Sequence, residues 1–165
     1  SSQAVHTFVA FDVEIAARCP LRVCAVGAGY FVDGAELTSF ESLVRVDSPV
    51  HYQSIHGLSA EDLASAPRWP DVWAKLRPIL TNGADVVAFR AAFDRGTLLA
   101  TLAQHGLRAP RLNFVCVAHL AEQRLGKRLR LHEYLDELCI PFPGTPHTPL
   151  ADARAAAALY LALLR

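Results

Sequence analysis

At 165 residues, 52% of them apolar, the chain is long enough to bury one sizeable core, and a single domain over 1–165 is expected. Sixteen basic and 16 acidic side chains give a formal net charge of zero. That excludes a polycation that coats duplexes, so any contact with nucleic acid must rest on a local patch or on bound metal ions.

The run from Phe8 to Glu14 reads as the first long strand, and Ala16 to Pro20 as the loop that follows. Arg22 to Val32 reads as a second strand closed by the Asp33-Gly34 hairpin signal, and Leu37 to Val46 as a third, so the chain opens with an antiparallel meander. Ser59 stands at capping distance from Asp62 and starts a short helix. A second helix is expected over about 71–80, where Val72, Trp73, Leu76 and Ile79 recur at helical spacing and Pro78 marks the last turn. Asp85 to Phe89 is a short apolar strand of the doubly buried kind, followed through Arg90 by a helix that stops at Gly106. Asn113 to Val117 reads as another strand, and helices are expected over about 118–125 and 131–138. The last helix begins with Thr148 as N-cap and Pro149 at the first helical position. The fold class is therefore α/β: a mixed sheet, antiparallel at first and then alternating with helices that flank it.

Cys19, Cys24, Cys116 and Cys139 lack the paired spacing of a zinc site and read as reduced, small apolar residues. No apolar run approaches the roughly 20 residues that span a bilayer, and no signal peptide opens the chain, so a cytoplasmic protein with no membrane partner is expected. The sequence has no methionine, which suggests that residues 1–4 are an added remnant and that the domain belongs to a longer protein.

Chemistry concentrates at a few acids. Asp12 and Glu14 are two apart on a strand and so share one face, where two carboxylates repel unless a cation lies between them. A hard divalent ion with oxygen ligands answers that need, although a frayed strand end in solvent would also tolerate the pair. Asp94 and Asp152 each fall in the first turn of a helix, where the helix dipole alone favours an acid. His147, five residues before Asp152, stands just outside the cap of the last helix. An imidazole there can reach over the helix start and is suited to take a proton from water near neutral pH.

In order and spacing, Phe11-Asp12-Val13-Glu14, Ile55-His56-Gly57-Leu58, Val87-Ala88 with Phe93-Asp94, and His147 with Asp152 resemble the DnaQ-like 3′→5′ exonucleases of the DEDDh type. The resemblance covers about 7–164 and implies a ribonuclease-H-like fold and two divalent metal ions, Mg²⁺ or Mn²⁺. It implies that Asp12, Glu14 and Asp152 hold the first ion, that Asp12 bridges to the second, and that Asp94 acts on the second through water. His147 would be the general base for the attacking water, and nucleoside 5′-monophosphates the products. It also places Ile15, Ala16, Ile55, His56, Gly57, Leu58, Phe89 and Arg90 beside the substrate. The implied partner is single-stranded DNA or RNA with a free 3′ end, with a polymerase or repair complex as a further partner.

Three departures stand out: Ile15-Ala16 where relatives carry threonine, Phe89-Arg90 where they carry His-Asn, and a short, apolar stretch over 17–21. Arg90 is suited to grip a phosphate directly in place of the lost polar groups, or else is a solvated charge. Arg124, Lys127, Arg128 and Arg130 form the densest basic cluster, either a track for a substrate backbone or a solvated run. A competing reading keeps the fold without turnover, as a module that binds nucleic acid or a partner. Five intact acid and histidine positions argue against it, because burying like charges without metal costs stability.

Overall fold

The computed structural model describes residues 6–165, so the remnant proposed for residues 1–4 lies outside the described residues. Three strands open the chain, β1 (Thr7–Arg18), β2 (Leu21–Val32) and β3 (Ala35–Leu43). After them come α1 (Gln53–His56), α2 (Ala60–Ala64), α3 (Trp69–Leu80), β4 (Asp85–Ala88), α4 (Ala91–Gln104), β5 (Phe114–Cys116), α5 (Val117–Leu125), α6 (Leu131–Glu137) and α7 (Pro149–Leu163). They build one five-stranded sheet in the order β3-β2-β1-β4-β5. β1 to β3 pair antiparallel, whereas β4 lies parallel to β1 and β5 parallel to β4.

Alternation along β1 divides the core into two layers. Val9, Phe11 and Val13 face α3 and α4, where they meet Trp69, Trp73, Leu76, Leu98 and Leu102. Phe8 and Ala10 face the other way, toward α5, α6 and α7, and pack with Val117, Tyr134, Leu159 and Tyr160. Asp12 and Glu14 share the parity of Phe8 and Ala10, so they continue the face that α7 covers.

Several boundaries differ from those expected. The loop expected over 16–20 shrinks to the turn at Cys19–Pro20, because β1 continues to Arg18 through register shifts on either side of Ile15. Those irregularities absorb extra residues without breaking the ladder, and Ala16 and Ala17 are buried. At the far end, β3 stops at Leu43 instead of Val46. There the backbone leaves the sheet to bond with the α2 and α3 region, Arg45 N donating to Pro67 O at 2.8 Å. The Ser59–Asp62 capping box is present in full. Among the described residues the cysteines are free, and no helix is long and apolar enough to cross a membrane.

Candidate active site

The site forms where three elements converge on Asp12 and Glu14. Because β4 runs parallel to β1, with Ala10 opposite Val87, the chain leaving β4 turns into α4 beside the same end of β1. This delivers Asp94 from the first turn of α4, and its Oδ1 accepts a hydrogen bond from Val13 N at 3.2 Å. That bond spans 81 residues and occupies one carboxylate oxygen, leaving the other for the cavity.

α7 supplies the third side. Gly27 is the register partner of Asp12 on β2, and the first turn of α7 rests directly on it. A Cβ there would lie 2.4 Å from Leu150 N and 2.5 Å from the carbonyl carbon of Pro149, so only glycine admits the helix at this height. Thr148 stands at the N-cap of α7 as expected, but its side chain makes no bond to the helix start; its hydroxyl donates instead to Thr145 O at 2.6 Å. One free N–H of the helix start finds a carboxylate on β3, and a side chain of the same helix is anchored to the same strand. Leu150 N donates to Glu41 Oε2 of β3 at 2.9 Å, and Arg154 grips Glu36 of β3 through two bonds of 2.9 Å.

Thus seated, α7 brings Asp152 and His147 to the acid pair. His147 N donates to Asp152 Oδ1 at 3.1 Å, and His147 adopts a left-handed backbone at φ 65°. Its ring remains exposed, and one ligand atom each from Glu14, His147 and Asp152 lies within 4.8 Å of the others. The acids perturb one another strongly. Burial holds the Asp12 carboxyl well above the usual range, reinforced by the charges of Asp94, Glu14 and Asp152. Glu14 is pushed up to about 8 by burial and then by Asp152 and Asp94. Asp94 also rises to about 8 through burial, against the lowering bond from Val13. Asp152 is raised less, because its burial is opposed by the bond from His147 N and by the imidazole itself.

Asp12 Oδ2 is buried with no hydrogen-bond partner. An orphaned carboxylate oxygen among three other acids is a costly arrangement for a bare protein. It fits a donor set of oxygens meant for a hard divalent cation.

These residues line one cavity of about 530 Å³. Of the residues the resemblance places beside substrate, Ile55, Phe89 and Arg90 line it. Ile15 and Ala16 do not: both side chains are buried, Ala16 fully. His56 is buried too, its Nε2 donating to His51 O at 2.8 Å and its Nδ1 accepting from Leu58 N at 2.9 Å. Both ring nitrogens are spent on shaping the turn, so His56 positions its neighbours and presents no polar group to a ligand. Leu58, with His56, lines a neighbouring cavity of about 270 Å³ that shares His147, and Gly57 ends α1 with a left-handed backbone at φ 70°. Sequence reasoning missed Phe93, an exposed aromatic on the cavity wall, together with Glu41 and Gly27. Phe93 carries a sequence signal, since it directly precedes Asp94 and an apolar residue there has no core to enter. The other two act through contacts more than 100 residues away.

The exonuclease (RNase_T) family model matches residues 9–160. The chain belongs to this exonuclease family. As a member it is a nuclease, and its acid cluster suits the divalent metal on which such chemistry depends. No curated protein matches the sequence significantly. Among solved structures it is similar to the nuclease domain of 3′hExo, a DEDDh family member bound to rAMP, with a TM-score of 0.81 and 15% identity over 99% of this chain and 94% of that one. It is also similar to Exonuclease X in complex with 5′-overhanging duplex DNA, with a TM-score of 0.74 and 22% identity over 95% and 90% of the two chains. A third likeness is to S. pombe Pop2p in a Mg²⁺- and Mn²⁺-bound form, with a TM-score of 0.77 and 15% identity over 94% and 82%. At these identities the likeness is one of fold, the ribonuclease-H-like mixed sheet.

Proposed function

We propose that this exonuclease removes nucleotides one at a time from the 3′ end of single-stranded DNA or RNA, releasing nucleoside 5′-monophosphates. The observation that carries the reading is the convergence of Asp12, Glu14, Asp94 and Asp152 with His147, in which Asp12 Oδ2 is left buried and unpaired. Asp12, Glu14 and Asp152 would hold one divalent ion, and Asp12, with Asp94 acting through water, a second. Such ions lower the pKa of water and steady the entering and leaving oxygens of a phosphodiester.

The remaining roles fall to the chain itself. His147 takes the proton of the attacking water at an imidazole nitrogen, and the bond from its backbone N–H to Asp152 anchors the residue beside the acids. Asp94 keeps one oxygen on Val13 N, so its other oxygen has a fixed direction. Ile55 and Phe93, both exposed and both on the cavity wall, offer apolar surfaces on which terminal bases can stack. That the fold neighbours bind rAMP and DNA with an overhang supports a nucleic-acid terminus as substrate.

The polarity is tested with oligonucleotides labelled at either end. A 3′ label should appear at once as a mononucleotide, and a 5′ label as a descending ladder. Early release of a 5′-labelled mononucleotide, or internal cuts in a circular single strand, would refute the reading.

A further inference from the structure

Two smaller cavities adjoin the acid-lined one, and their charges differ. The first, which shares His147, contains Glu41 and no lysine or arginine. The second, of about 260 Å³, shares Arg90 and is lined by Arg128, His119 and Tyr134, with Glu122 as its one acid. A strand that carries one negative charge per nucleotide and ends among carboxylates is repelled along the first route and attracted along the second.

The structure also sorts the basic cluster between α5 and α6. Arg124 donates to Leu163 O at the end of α7, and Lys127 pairs with Glu137 at 3.1 Å. Neither of them lines either arginine-bearing cavity. Arg130 lines the acid-lined cavity, Arg128 the adjoining one, and Arg90 both. Among the described residues none of these three has a carboxylate within 4.0 Å. Two acids of α6 are engaged elsewhere, Glu133 accepting from Arg130 N at 2.9 Å and Glu137 pairing with Lys127, and Glu122, the acid in the cavity itself, forms no salt bridge with either arginine there. Arg90 is steadied over the Phe89 ring, 5.7 Å from its centroid, at the junction of the two cavities.

Building on the exonuclease reading, we propose that the cavity lined by Arg90 and Arg128 is a subsite for the strand 5′ to the scissile bond. Arg130 and Arg90 hold the phosphates nearest the terminus, and Arg128 holds the next one upstream. The 3′ terminus then lies toward His147, and the preferred substrate is an oligonucleotide rather than a mononucleotide ester. Arg128 is a positioning residue that touches the strand but not the reacting atoms.

The test compares two substrates with Mn²⁺: the p-nitrophenyl ester of thymidine 5′-monophosphate, which spans only the acid-lined cavity, and 5′-labelled oligothymidylates of two to eight nucleotides. The readout is the ratio of kcat/KM for oligonucleotide to that for ester. For Arg128→Ala the ratio should fall about three- to tenfold once the oligonucleotide is long enough to reach the subsite, through KM. The dependence of log KM on log salt should lose about one phosphate contact. Arg128→Lys should recover part of the ratio, and Lys127→Ala should retain all of it. An unchanged ratio for Arg128→Ala, or an equal loss for Lys127→Ala, overturns the subsite. If the wild type hydrolyses neither substrate, the exonuclease reading fails. The subsite is then judged by fluorescence anisotropy of labelled oligothymidylate in Ca²⁺, where weaker binding by Arg128→Ala supports it and equal binding overturns it.

Discussion

Replacing Gly27 by alanine perturbs the site without touching any of its chemical groups. The added Cβ would lie 2.4 Å from Leu150 N and 2.7 Å from Leu150 Cα, whereas ordinary contact begins near 3.4 Å, so the first turn of α7 must retreat by about 1 Å. Both obstacles are backbone, so no rotamer change relieves them. The retreat is opposed by the bonds from Leu150 N to Glu41 and from Arg154 to Glu36. Overpacking of this kind costs about 1–3 kcal/mol. For a domain of this size that lowers Tm by about 2–12 °C. Asp152 and His147 move with the helix, and a displacement of about 1 Å in a catalytic constellation costs on the order of 10²-fold in rate. Thermal denaturation, together with hydrolysis of a labelled oligonucleotide at saturating Mn²⁺, measures both effects. A Gly27→Ala variant with wild-type Tm and wild-type turnover would refute the claim that close approach at this glycine sets the site.

The metal-free protein should lose stability as pH rises. Glu14 and Asp94 hold their protons up to about pH 8 when folded but release them near 4 when unfolded. The folded state therefore binds more protons across that interval, and stability present below it is lost toward pH 8. Denaturation in EDTA at pH 5.5 and 8.5 should give the higher Tm at 5.5, and Mg²⁺ or Mn²⁺ should raise the value at 8.5 most; a higher Tm at 8.5 without metal would contradict this. Asp12→Asn removes one buried acid from the cluster, so it should raise the metal-free Tm at pH 8.5 while reducing turnover by about 10²–10³-fold, the usual scale for losing electrostatic stabilisation of this kind. Equal metal-free Tm values, or retained turnover, would count against the cluster as described. His56→Ala loses the bonds to His51 O and Leu58 N, at a cost of about 1–3 kcal/mol seen in denaturant titration. If His56 touched substrate instead, KM would change and stability would not.

Much of the site was legible because it depends on short-range rules. The two-residue spacing of Asp12 and Glu14 puts both on the face shared with Phe8 and Ala10, and first-turn positions on α4 and α7 aim Asp94 and Asp152 from helix starts. Order and spacing then tied these to His147, which stands outside α7 as expected. What escaped is held by distant contacts or by local geometry that side-chain type does not reveal. Thr148 is a good cap by type, yet Glu41, 109 residues from Leu150, accepts a free N–H of the helix start. Ala16 and Ala17 follow the acid pair and precede Cys19-Pro20, which reads as a loop, but register shifts carry β1 through them. His56 looked like a ligand-facing residue because its family motif lies near the terminus, and only the paired bonds of its ring show it turned inward. The basic cluster could not be divided by sequence, since Arg124 and Lys127 differ from Arg128 and Arg130 only in which partners the fold supplies.

The most direct test of the central claim is cleavage of 5′-labelled single-stranded DNA and RNA oligonucleotides with Mg²⁺ or Mn²⁺, beside an EDTA control and the Asp12→Ala variant. The account predicts a metal-dependent ladder shortening from the 3′ end that vanishes in EDTA and in the variant. A folded wild-type protein that binds the metal yet leaves both substrates intact, or a ladder that persists in Asp12→Ala, would contradict it.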